Sequence, residues 1–566
     1  MTTHGTLNTP WISFLFTFCF VVYLIFLGVT LFAPILTPQD SFGFYRSISG
    51  NILGNRTYEP EASAWDRCDL PKFDIWDDGV IEYINPLQNP IAKCNASLKP
   101  LTFLKDGKWG VTFKDSSISC RARCHSRKSE RSNVIGEWMK APGKVDCEVL
   151  EAVCSKNDLD FYGYLHTQVL PTPKRAPKVD TKNLDQYNVI VILLDSLSYS
   201  QARRYRIFAN TIKDSFRSLP RTISYMTDHM DAVMFPYINK VGDNSRPNGA
   251  ALYFGKLLEK LDKSLFEEAD VAQDWSHSYM CSVFKDNETS LFSEFQDYGY
   301  KTLLSEDWAE GTLNWPNCKG FDKPPIDHNM RPFQNALERK NHGVNVTKYH
   351  LKGEYCREHH HTLLEYLSQF IKAYPDQKTF SWTWASMLGH NSENGFPHSD
   401  NDFYKFLLEK SFVFFMGDHG LRFGGVRKTF VGALDVNNPF LSISIPKNLR
   451  ATTQILNMMR VNSQKIQTHF DTRATILDLL KVTELQQYND KFKGSTLFTA
   501  KIVMEAPSSA VFEANVKMTE TGEVKVLGVV ERSNKYGDTA DCIKSEEHRP
   551  FCFCKNQNVL KTTVKR

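Results

Sequence analysis

Apolar runs and amphipathic runs alternate along the chain between residues 187 and 482. YNVIVILLDS (187–196) and SFVFFMGDHG (411–420) are continuously apolar and rich in β-branched or aromatic residues, as is typical of strands buried on both faces. Helix-like runs precede strand-like runs in LFSEFQDYG–YKTLLSED, HTLLEYLSQFIKAY–KTFSWTWAS and DFYKFLLEK–SFVFFMGDHG. GAALYFGKLLEKLDKS (249–264) and DTRATILDLLKV (471–482) add two helices, and PFLSISIP (439–446) adds a strand. This alternation predicts an α/β fold, a mostly parallel sheet sandwiched by helices, over residues 180–500.

Side chains that can bind a metal or take part in catalysis directly follow several of the predicted strands. VIVILL is followed by Asp195, FVFFMG by Asp418 and His419, and the strand containing WTWAS by His390 within a few residues. Because ligand sites form at the carboxyl ends of parallel strands, we expect these groups at one edge of the sheet. Ser245, which precedes a helix-like run, can face the same edge. Carboxylate, imidazole and hydroxyl groups together predict a divalent-metal site, for zinc foremost and otherwise for calcium, magnesium or manganese.

The first 60 residues differ from the globular remainder. Residues 10–36, PWISFLFTFCFVVYLIFLGVTLFAPIL, carry no charged side chain and are long enough to cross a bilayer as a helix. We therefore predict a membrane anchor at 1–36, followed by a polar stem at 37–60. A cleaved signal peptide is the alternative, and it would make the protein secreted. The lack of Lys or Arg before the run and the run's length argue against cleavage.

Cysteines are concentrated on both sides of the α/β region. Apart from Cys19 in the apolar run, the chain has 12 of its 13 cysteines after residue 60, an even number that suits disulfides in an oxidising compartment. Zinc is the alternative for Cys120 with Cys124 and for Cys552 with Cys554. We predict a cysteine-rich, β-rich domain at 61–175, a proline-rich linker at 171–178 and a strand-rich, disulfide-closed extension at 501–566.

Acceptor sequons for N-glycosylation agree with that compartment. They are at Asn55, Asn95, Asn287 and Asn345. The sequence thus predicts a single-pass membrane protein whose C-terminal part lies in the lumen or outside the cell.

The overall charge of the chain bears on whether it binds nucleic acid. The chain has 566 residues, with 68 Lys and Arg against 64 Asp and Glu, a net charge of +4. Without a basic stripe or a base-stacking motif, the sequence gives no reason to expect nucleic-acid binding.

Three blocks of sequence carry a resemblance to a known family. ILLDSLS contains Asp195, NKVGDNSRPN contains Ser245, and GDHGLRFGGVRKTFVG contains Asp418 and His419. From about residue 145 onward the chain resembles the alkaline-phosphatase-like superfamily of sulfatases, phosphodiesterases and phosphatases. Within it, the chain is most similar to the branch called domain of unknown function 229. The resemblance implies an alkaline-phosphatase-like fold.

The resemblance also implies roles for individual residues. Ser245 would be the nucleophile that forms a covalent ester, although a plain helix N-cap is the alternative for this serine. Asp195, Asp418 and His419, with the Ser245 oxygen, would hold one ion. Asn248, Arg422 and Arg427 would bind an anionic ester substrate, and the alternative for the arginines is structural pairing with aspartates.

A second ion has fewer candidates. Related phosphodiesterases have an aspartate four residues before the histidine that corresponds to His390, and this chain has Ser386 there. His469 and Asp471 are the other candidates. The sequence therefore predicts a metal-dependent hydrolase of phosphate or sulfate esters, and its alternative is a catalytically inactive ectodomain that acts as a binding or surface protein. We expect the run His359–His361 to be an exposed helix start without a ligand role.

Overall fold

The computed structural model of the protein describes residues 74–75, 78–85, 88, 92–95, 98–181, 186–207, 215–217, 219–264, 269–407, 410–481, 495–504, 511–519 and 524–532. All of them belong to one compact unit, Ala64–Arg566. The predicted anchor and stem, Asn55, and the pair Cys552 and Cys554 lie outside the described residues. Within the part of the chain that is described, no helix combines the length and the apolar character needed to cross a membrane.

The cysteine-rich region is built of antiparallel strands. Its strands are β1 (Thr102–Lys105), β2 (Lys108–Val111), β3 (Ile118–Ser129), β4 (Ser132–Ile135), β5 (Met139–Lys140), β6 (Gly143–Lys144), β7 (Val149–Lys156) and β8 (Leu159–Thr167). One sheet has the order β1-β2-β6, and a larger one has the order β4-β3-β7-β8 with β5 paired to β3. The prediction of a β-rich region is confirmed.

The strands of the α/β part follow. They are β9 (Val189–Leu194), β10 (Tyr205–Ile207), β11 (Ser215–Arg217), β12 (Val233–Met234), β13 (Ile238–Asn239), β14 (Lys301–Glu306), β15 (His328–Asn329), β16 (Thr379–Ala385), β17 (Phe412–Met416), β18 (Leu441–Ser444) and β19 (Gln467–Thr468). Short pairs form between β10 and β11 and between β13 and β19, whereas the other seven strands form one central sheet.

The helices begin before the sheet region and continue through it. They are α1 (Asp78–Ile81), α2 (Tyr199–Arg203), α3 (Pro220–Asp228), α4 (Ser245–Phe254), α5 (His277–Ser282), α6 (Leu291–Asp297), α7 (Arg331–Glu338), α8 (Asn345–Tyr349), α9 (His359–Ala373), α10 (Asp400–Phe406), α11 (Phe430–Asp435), α12 (Lys447–Thr452), α13 (Ile455–Asn462) and α14 (His469–Lys481). A π-helical turn follows α8 at His350–Glu354, and 3₁₀ turns lie at Pro397–Ser399 and Val426–Lys428.

The central sheet has the order β12-β18-β17-β9-β16-β14-β15. The five strands β17, β9, β16, β14 and β15 are parallel, whereas β18 runs antiparallel to both β17 and β12. In the register, Met416 pairs with Leu193 and Ala385 with Leu194. The residues that follow three adjacent strands therefore meet at one edge of the sheet.

Both faces of the sheet are buried, as the apolar runs predicted. Alternate residues of β9 belong to two different hydrophobic clusters, Ile190 to the first and Val191 to the second. The first cluster includes residues of α7 and α9, and the second includes residues of α4, α6 and α14. Trp382 and Trp384 of β16 are fully buried in the second cluster, which is the strand packing expected of alternating residues.

The cysteine-rich sheets share their core with the α/β part. Ala122 of β3 and Leu150 of β7 lie in the same hydrophobic cluster as α7 and α9. The four disulfides among the described residues are Cys94–Cys356, Cys120–Cys154, Cys124–Cys147 and Cys281–Cys318. The zinc alternative for Cys120 and Cys124 is therefore wrong, because each of these sulfurs is bonded to another cysteine.

The strand-rich C-terminal extension begins slightly before its predicted start at residue 501. β20 (Ser495–Val503), β21 (Val511–Thr519) and β22 (Val524–Arg532) form an antiparallel sheet in that order. The predicted closure by cysteines falls on residues outside the described part.

Candidate active site

Asp195, Asp418 and His419 meet at the carboxyl edge of the central sheet. Asp195 follows β9, and Asp418 and His419 follow β17 one residue after its end. Their candidate ligand atoms all lie within 4.8 Å of one another. Asp195 is 2% exposed, and Asp418 and His419 are fully buried. Three of the four residues that the strand-end rule selected therefore form one buried group, and His390 is not a member of it.

Ser245 completes the group from the start of α4. Its Oγ donates a hydrogen bond to Asp195 Oδ2 over 3.1 Å and lies 3.2 Å from His419 Nε2. The N-cap of α4 is Asn244, whose side chain accepts from the backbone N–H of Arg246, so the alternative that Ser245 is the cap is wrong. Ser245 is the first helical residue and is half-buried, which leaves its oxygen between the buried group and solvent.

The helix that carries Ser245 begins earlier and ends earlier than the predicted run 249–264. It ends at Phe254 because Gly255 takes a left-handed conformation, φ +65°, and its N–H closes the last turn. Pro247 lies in the first turn, where a missing backbone N–H costs little. The loop before the helix therefore determines where Ser245 lies.

The hydrogen bonds inside the group leave its centre unpaired. Asp418 Oδ1 accepts from the backbone N–H groups of Ser196 and His419, at 3.0 and 2.9 Å. Asp418 Oδ2 is buried and has no hydrogen-bond partner among the described residues. His419 Nδ1 lies 2.8 Å from the Gly420 carbonyl, to which it can only donate. His419 Nε2 therefore faces the group, 3.4 Å from Asp418 Oδ2.

The electrostatics of the group fit a divalent cation. Burial, followed by the nearby charge of Asp418, raises the pKa of the Asp195 carboxyl from 3.8 to about 7. Two carboxylates and an imidazole, all three buried, form with the hydroxyl oxygen of the half-buried Ser245 a donor set that suits zinc. The unpaired Oδ2 of Asp418 is what such a site needs as a ligand atom.

Asn248, which was predicted to bind substrate, has its side chain inside the loop that precedes α4. Its side chain is fully buried, accepts from the N–H groups of Val241 and Gly242, and donates to the carbonyls of Gly242 and Asn244. All four hydrogen-bonding positions of the amide are therefore used within the loop. Asn248 holds the loop in place, contrary to the prediction that it contacts substrate.

Arg422 and Arg427 follow Asp418 on the same connection. Both are half-buried, and neither forms an ion pair with a described residue, so the alternative of structural pairing with aspartates is not observed there. The hydrogen bond from Lys240, with contributions from Arg422 and His419, lowers the pKa of Asp243, which places Arg422 near the start of α4. Substrate binding by the two arginines stays a prediction.

The candidates for a second ion do not converge. His390 lies outside the group, and its Nδ1 is 2.8 Å from Asn391 Oδ1. Ser386 is buried directly after β16, and its Oγ has no partner among the described residues. Asp471 Oδ2 accepts from the N–H and hydroxyl of Thr468 and so stabilises the first turn of α14.

His469 is the late histidine that does reach the group. It is fully buried, and its Nε2 lies 2.5 Å from the Asp418 carbonyl. Because a carbonyl only accepts, Nε2 carries the proton and the buried Nδ1 is a free lone pair without a partner among the described residues. Burial lowers the pKa of His469, which keeps this ring neutral.

Asp307 is a carboxylate that the sequence argument omitted. It follows β14 at the same edge of the sheet, is fully buried, and accepts from the N–H groups of Ser386 and Met387 at 2.6 and 3.2 Å. It therefore fixes the start of the connection that carries His390. The strand-end rule would have found it, because YKTLLSED ends in this residue.

The histidine run at the start of α9 is only partly as expected. His360 is buried, and its Nε2 and that of His361 both approach Asp402. The expectation of an exposed helix start is therefore wrong for His360.

Three predicted glycosylation sites fall within the described residues. Asn95, Asn287 and Asn345 are all exposed. Their modification stays a prediction.

The fold and the buried group define an α/β protein with a carboxylate–imidazole–hydroxyl site at the end of its central sheet. Residues 88–500, well over half of the chain, match the family described as "protein of unknown function (DUF229)", and the chain belongs to this family. No curated protein matches the chain.

Proposed function

We propose that this chain is a divalent-metal-dependent hydrolase of phosphate or sulfate esters, of the alkaline-phosphatase-like superfamily, with Ser245 as its nucleophile. One observation carries the proposal. The Ser245 hydroxyl lies 3.1 Å from Asp195 Oδ2 and 3.2 Å from His419 Nε2, at the N-terminus of a helix and beside a buried carboxylate pair.

Asp195, Asp418 and His419 would hold the ion, with the Ser245 oxygen beside them. Zinc fits this donor set best, and calcium, magnesium or manganese would need water oxygens to complete the shell. When bound there, such an ion supplies Lewis-acid polarisation of the ester oxygen and a lower pKa for the hydroxyl.

The residues of the chain supply the nucleophile and move its proton. Ser245 Oγ attacks the phosphorus or sulfur atom, a seryl ester forms, and the bond to the alcohol leaving group breaks. Asp195 Oδ2 is the acceptor within reach of the hydroxyl proton, which then passes to the departing alcohol oxygen, whereas His419 Nε2 is reserved for the ion. Water then cleaves the seryl ester and restores the hydroxyl. The positive end of the α4 dipole favours the anionic group throughout.

Phosphate esters or diesters are the favoured substrates. The block GDNSRPN has no cysteine, whereas an ordinary sulfatase needs a modified cysteine or serine in a different motif. Arg422 and Arg427, which pair with no described carboxylate, are placed on the connection after Asp418 and would bind the anionic ester.

The disulfides support a lumenal or extracellular location. Four bridges among the described residues suit an oxidising compartment. With residues 10–36 as an uncleaved anchor, the protein would be a single-pass membrane protein, and with that run cleaved it would be secreted.

The second candidate is an inactive ectodomain that binds a ligand without turning it over. It is favoured by the separation of His390 from the buried group and by Ser386 at the place of an expected carboxylate. A two-ion mechanism would lack ligands here, although a one-ion site would keep its full set.

Assays of the purified full-length chain separate the two candidates. With p-nitrophenyl phosphate, an aryl phosphodiester and an aryl sulfate, we expect turnover that a chelator abolishes and Zn²⁺ restores. Ser245→Ala should lower kcat by at least about 1,000-fold with the metal content retained. Ser276→Ala is the matched control, because Ser276 caps α5 and should cost only helix stability. Chelator-insensitive turnover, or equal activity in Ser245→Ala, would refute the hydrolase proposal.

A further inference from the structure

A second group of metal-ligating side chains lies where the start of α9 meets α10. Glu358 is the N-cap residue of α9, His360 and His361 lie in its first turn, His398 lies in the 3₁₀ turn at Pro397–Ser399, and Asp402 lies in α10. We call these five residues the histidine cluster. None of them belongs to the group around Ser245.

The spacing of the histidine cluster matches that of ligands around one ion. Asp402 Oδ2 lies 3.1 Å from His360 Nε2 and 2.9 Å from His361 Nε2. Glu358 Oε2 lies 4.0 Å from each of the same two nitrogens. A tetrahedral zinc with bonds of about 2.1 Å separates its ligand atoms by roughly 3.4 Å. Glu358, His360 and His361 each offer a ligand atom within 4.8 Å of the others, whereas Asp402 is not part of that three-residue group.

The two imidazoles can share a centre although they are consecutive. Their ring centroids are 4.4 Å apart, and both Nε2 atoms point at the same carboxylate oxygen. The helix begins at His359, so His360 and His361 lie in the first turn, where Glu358 still has an extended backbone. That local geometry brings a carboxylate and two rings to one side.

His398 supports the cluster from behind. Its Nε2 lies against Glu358 Oε1, yet neither ring nitrogen makes a hydrogen bond of good geometry, although both are buried. An imidazole that contacts a ligand carboxylate without ligating is a common outer partner in metal sites. His398 therefore orients Glu358.

The cluster is partly open to solvent, with the Glu358 side chain as the second least exposed. The side chains of His360 and Glu358 are 1% and 12% exposed, whereas those of Asp402 and His361 are 29% and 39% exposed. An ion can enter past Asp402 and His361, and water can occupy any remaining position.

We propose that the histidine cluster binds one Zn²⁺, or another late first-row transition ion, through His360 Nε2, His361 Nε2 and Glu358, with Asp402 beside the two imidazoles. Imidazole nitrogens select such ions over calcium or magnesium. The Asp402 carboxylate joins the start of α9 to α10, which are 41 residues apart between His361 and Asp402. This site is separate from the proposed hydrolase centre and does not depend on it.

Metal content of the full-length chain tests the proposal. After equilibration with Zn²⁺ and removal of free ion, we expect two equivalents in the wild type and one in Asp418→Asn, in which the hydrolase centre is damaged. Adding His361→Gln to Asp418→Asn should remove the remaining equivalent. Glutamine keeps a donor toward Asp402, so the fold around Asp402 is retained. His359→Gln is the matched control, because it makes the same substitution two residues earlier in the same histidine run, and the bound equivalent of Zn²⁺ should remain.

Co²⁺ gives a second readout that does not depend on activity. Asp418→Asn loaded with Co²⁺ should show the visible ligand-field bands of a tetrahedral site, and His361→Gln or Glu358→Gln should abolish them. If Asp418→Asn binds no metal, the cluster is not a site, whatever the hydrolase centre does. If Asp418→Asn holds its equivalent equally with and without His361→Gln, the assignment to these ligands is overturned. If wild type and Asp418→Asn both hold one equivalent that His361→Gln removes, the cluster stands and the proposed hydrolase centre loses its metal.

Discussion

At the scale of single residues, two buried carboxyls at the same sheet edge serve different ends. Asp195 faces the Ser245 hydroxyl and is suited to a cation, whereas Asp307, among the described residues, accepts the backbone N–H groups of Ser386 and Met387. Burial, against those two hydrogen bonds and with help from Glu306, raises the pKa of Asp307 to about 7 from 3.8. Its charged form is therefore costly in the folded protein.

We predict that Asp307 makes the protein less stable as the pH rises. A carboxyl whose folded pKa exceeds its unfolded pKa contributes stability below the unfolded value and loses it as the pH passes through the folded value. Compared with wild type, Asp307→Asn should gain on the order of 2 kcal/mol between pH 5 and pH 8. Thermal unfolding of both proteins at the two pH values measures this. A difference in Tm between them that does not change with pH would contradict it.

The residues of the site were predictable where the chain itself places them at strand ends. Asp195, Asp418 and His419 follow apolar runs directly, and their convergence follows from parallel strands in register. Asn244 and Ser245 are adjacent residues that both cap helices well, so the sequence could not decide between them. The convergence of His361 on Asp402 depends on packing between segments 41 residues apart, and no local pattern carries that information.

At the scale of elements, the connection from Lys240 to the start of α4 is what places the nucleophile. Asn248 in the first turns of the helix reaches back and binds Val241, Gly242 and Asn244. The loop and the helix are thus one unit, and the position of Ser245 is set by an amide that does not touch the site.

Asn248→Ala should therefore damage catalysis without removing a ligand. Loss of the amide leaves buried N–H and carbonyl groups unpaired, at a cost of about 2–4 kcal/mol. We expect kcat to fall by at least about tenfold, because a small displacement of Ser245 spoils its alignment, and we expect the zinc content to stay unchanged. Asn437→Ala, at an exposed loop asparagine, is the control and should change neither Tm nor kcat. Unchanged kcat in a destabilised Asn248→Ala would assign the amide to folding alone.

Strands and helices with a strong hydrophobic pattern were predictable from the sequence. Whether neighbouring strands run parallel or antiparallel was not. The strands β9, β14, β16 and β17 and the helices α6 and α9 coincide with the runs read from the sequence. The run PFLSISIP is a strand as expected, but its apolar pattern does not reveal that β18 runs against β17. Likewise, the end of α4 depends on the backbone conformation of Gly255, whereas the apolar spacing continues beyond it.

At the scale of the whole molecule, polar contacts join the cysteine-rich sheet to the α/β part. Glu151 of β7 is fully buried and accepts from Arg123, from the Val344 N–H and from the Thr347 hydroxyl. Nearby, Arg331 of α7 bridges a glutamate of each region. The disulfide Cys94–Cys356 adds a covalent tie across the same boundary.

Removing the Cys94–Cys356 disulfide should lower the free energy of unfolding more than removing a disulfide within the cysteine-rich sheet. Cys94 and Cys356 are 262 residues apart, whereas Cys120 and Cys154 are 34 apart. Because loop-closure entropy grows with the logarithm of loop length, we expect replacement of the first pair by serine to lower stability by about 1–2 kcal/mol more than replacement of the second. Thermal unfolding of the two double variants measures the difference. An equal or smaller Tm loss for the Cys94 and Cys356 pair would contradict this expectation.

The long separation of Cys94 from Cys356 also sets an order of events during synthesis. At roughly 5–20 residues per second, the ribosome needs about 13–52 s to make the 262 residues between them. Throughout that interval the bonding partner of Cys94 has not been made, whereas Cys120, Cys124, Cys147 and Cys154, and later Cys281 and Cys318, have been. If Cys120–Cys154, Cys124–Cys147 and Cys281–Cys318 close on the nascent chain, those six sulfurs are no longer available to Cys94 when Cys356 emerges. Early pairing within the short loops would therefore protect the Cys94–Cys356 bridge from misconnection.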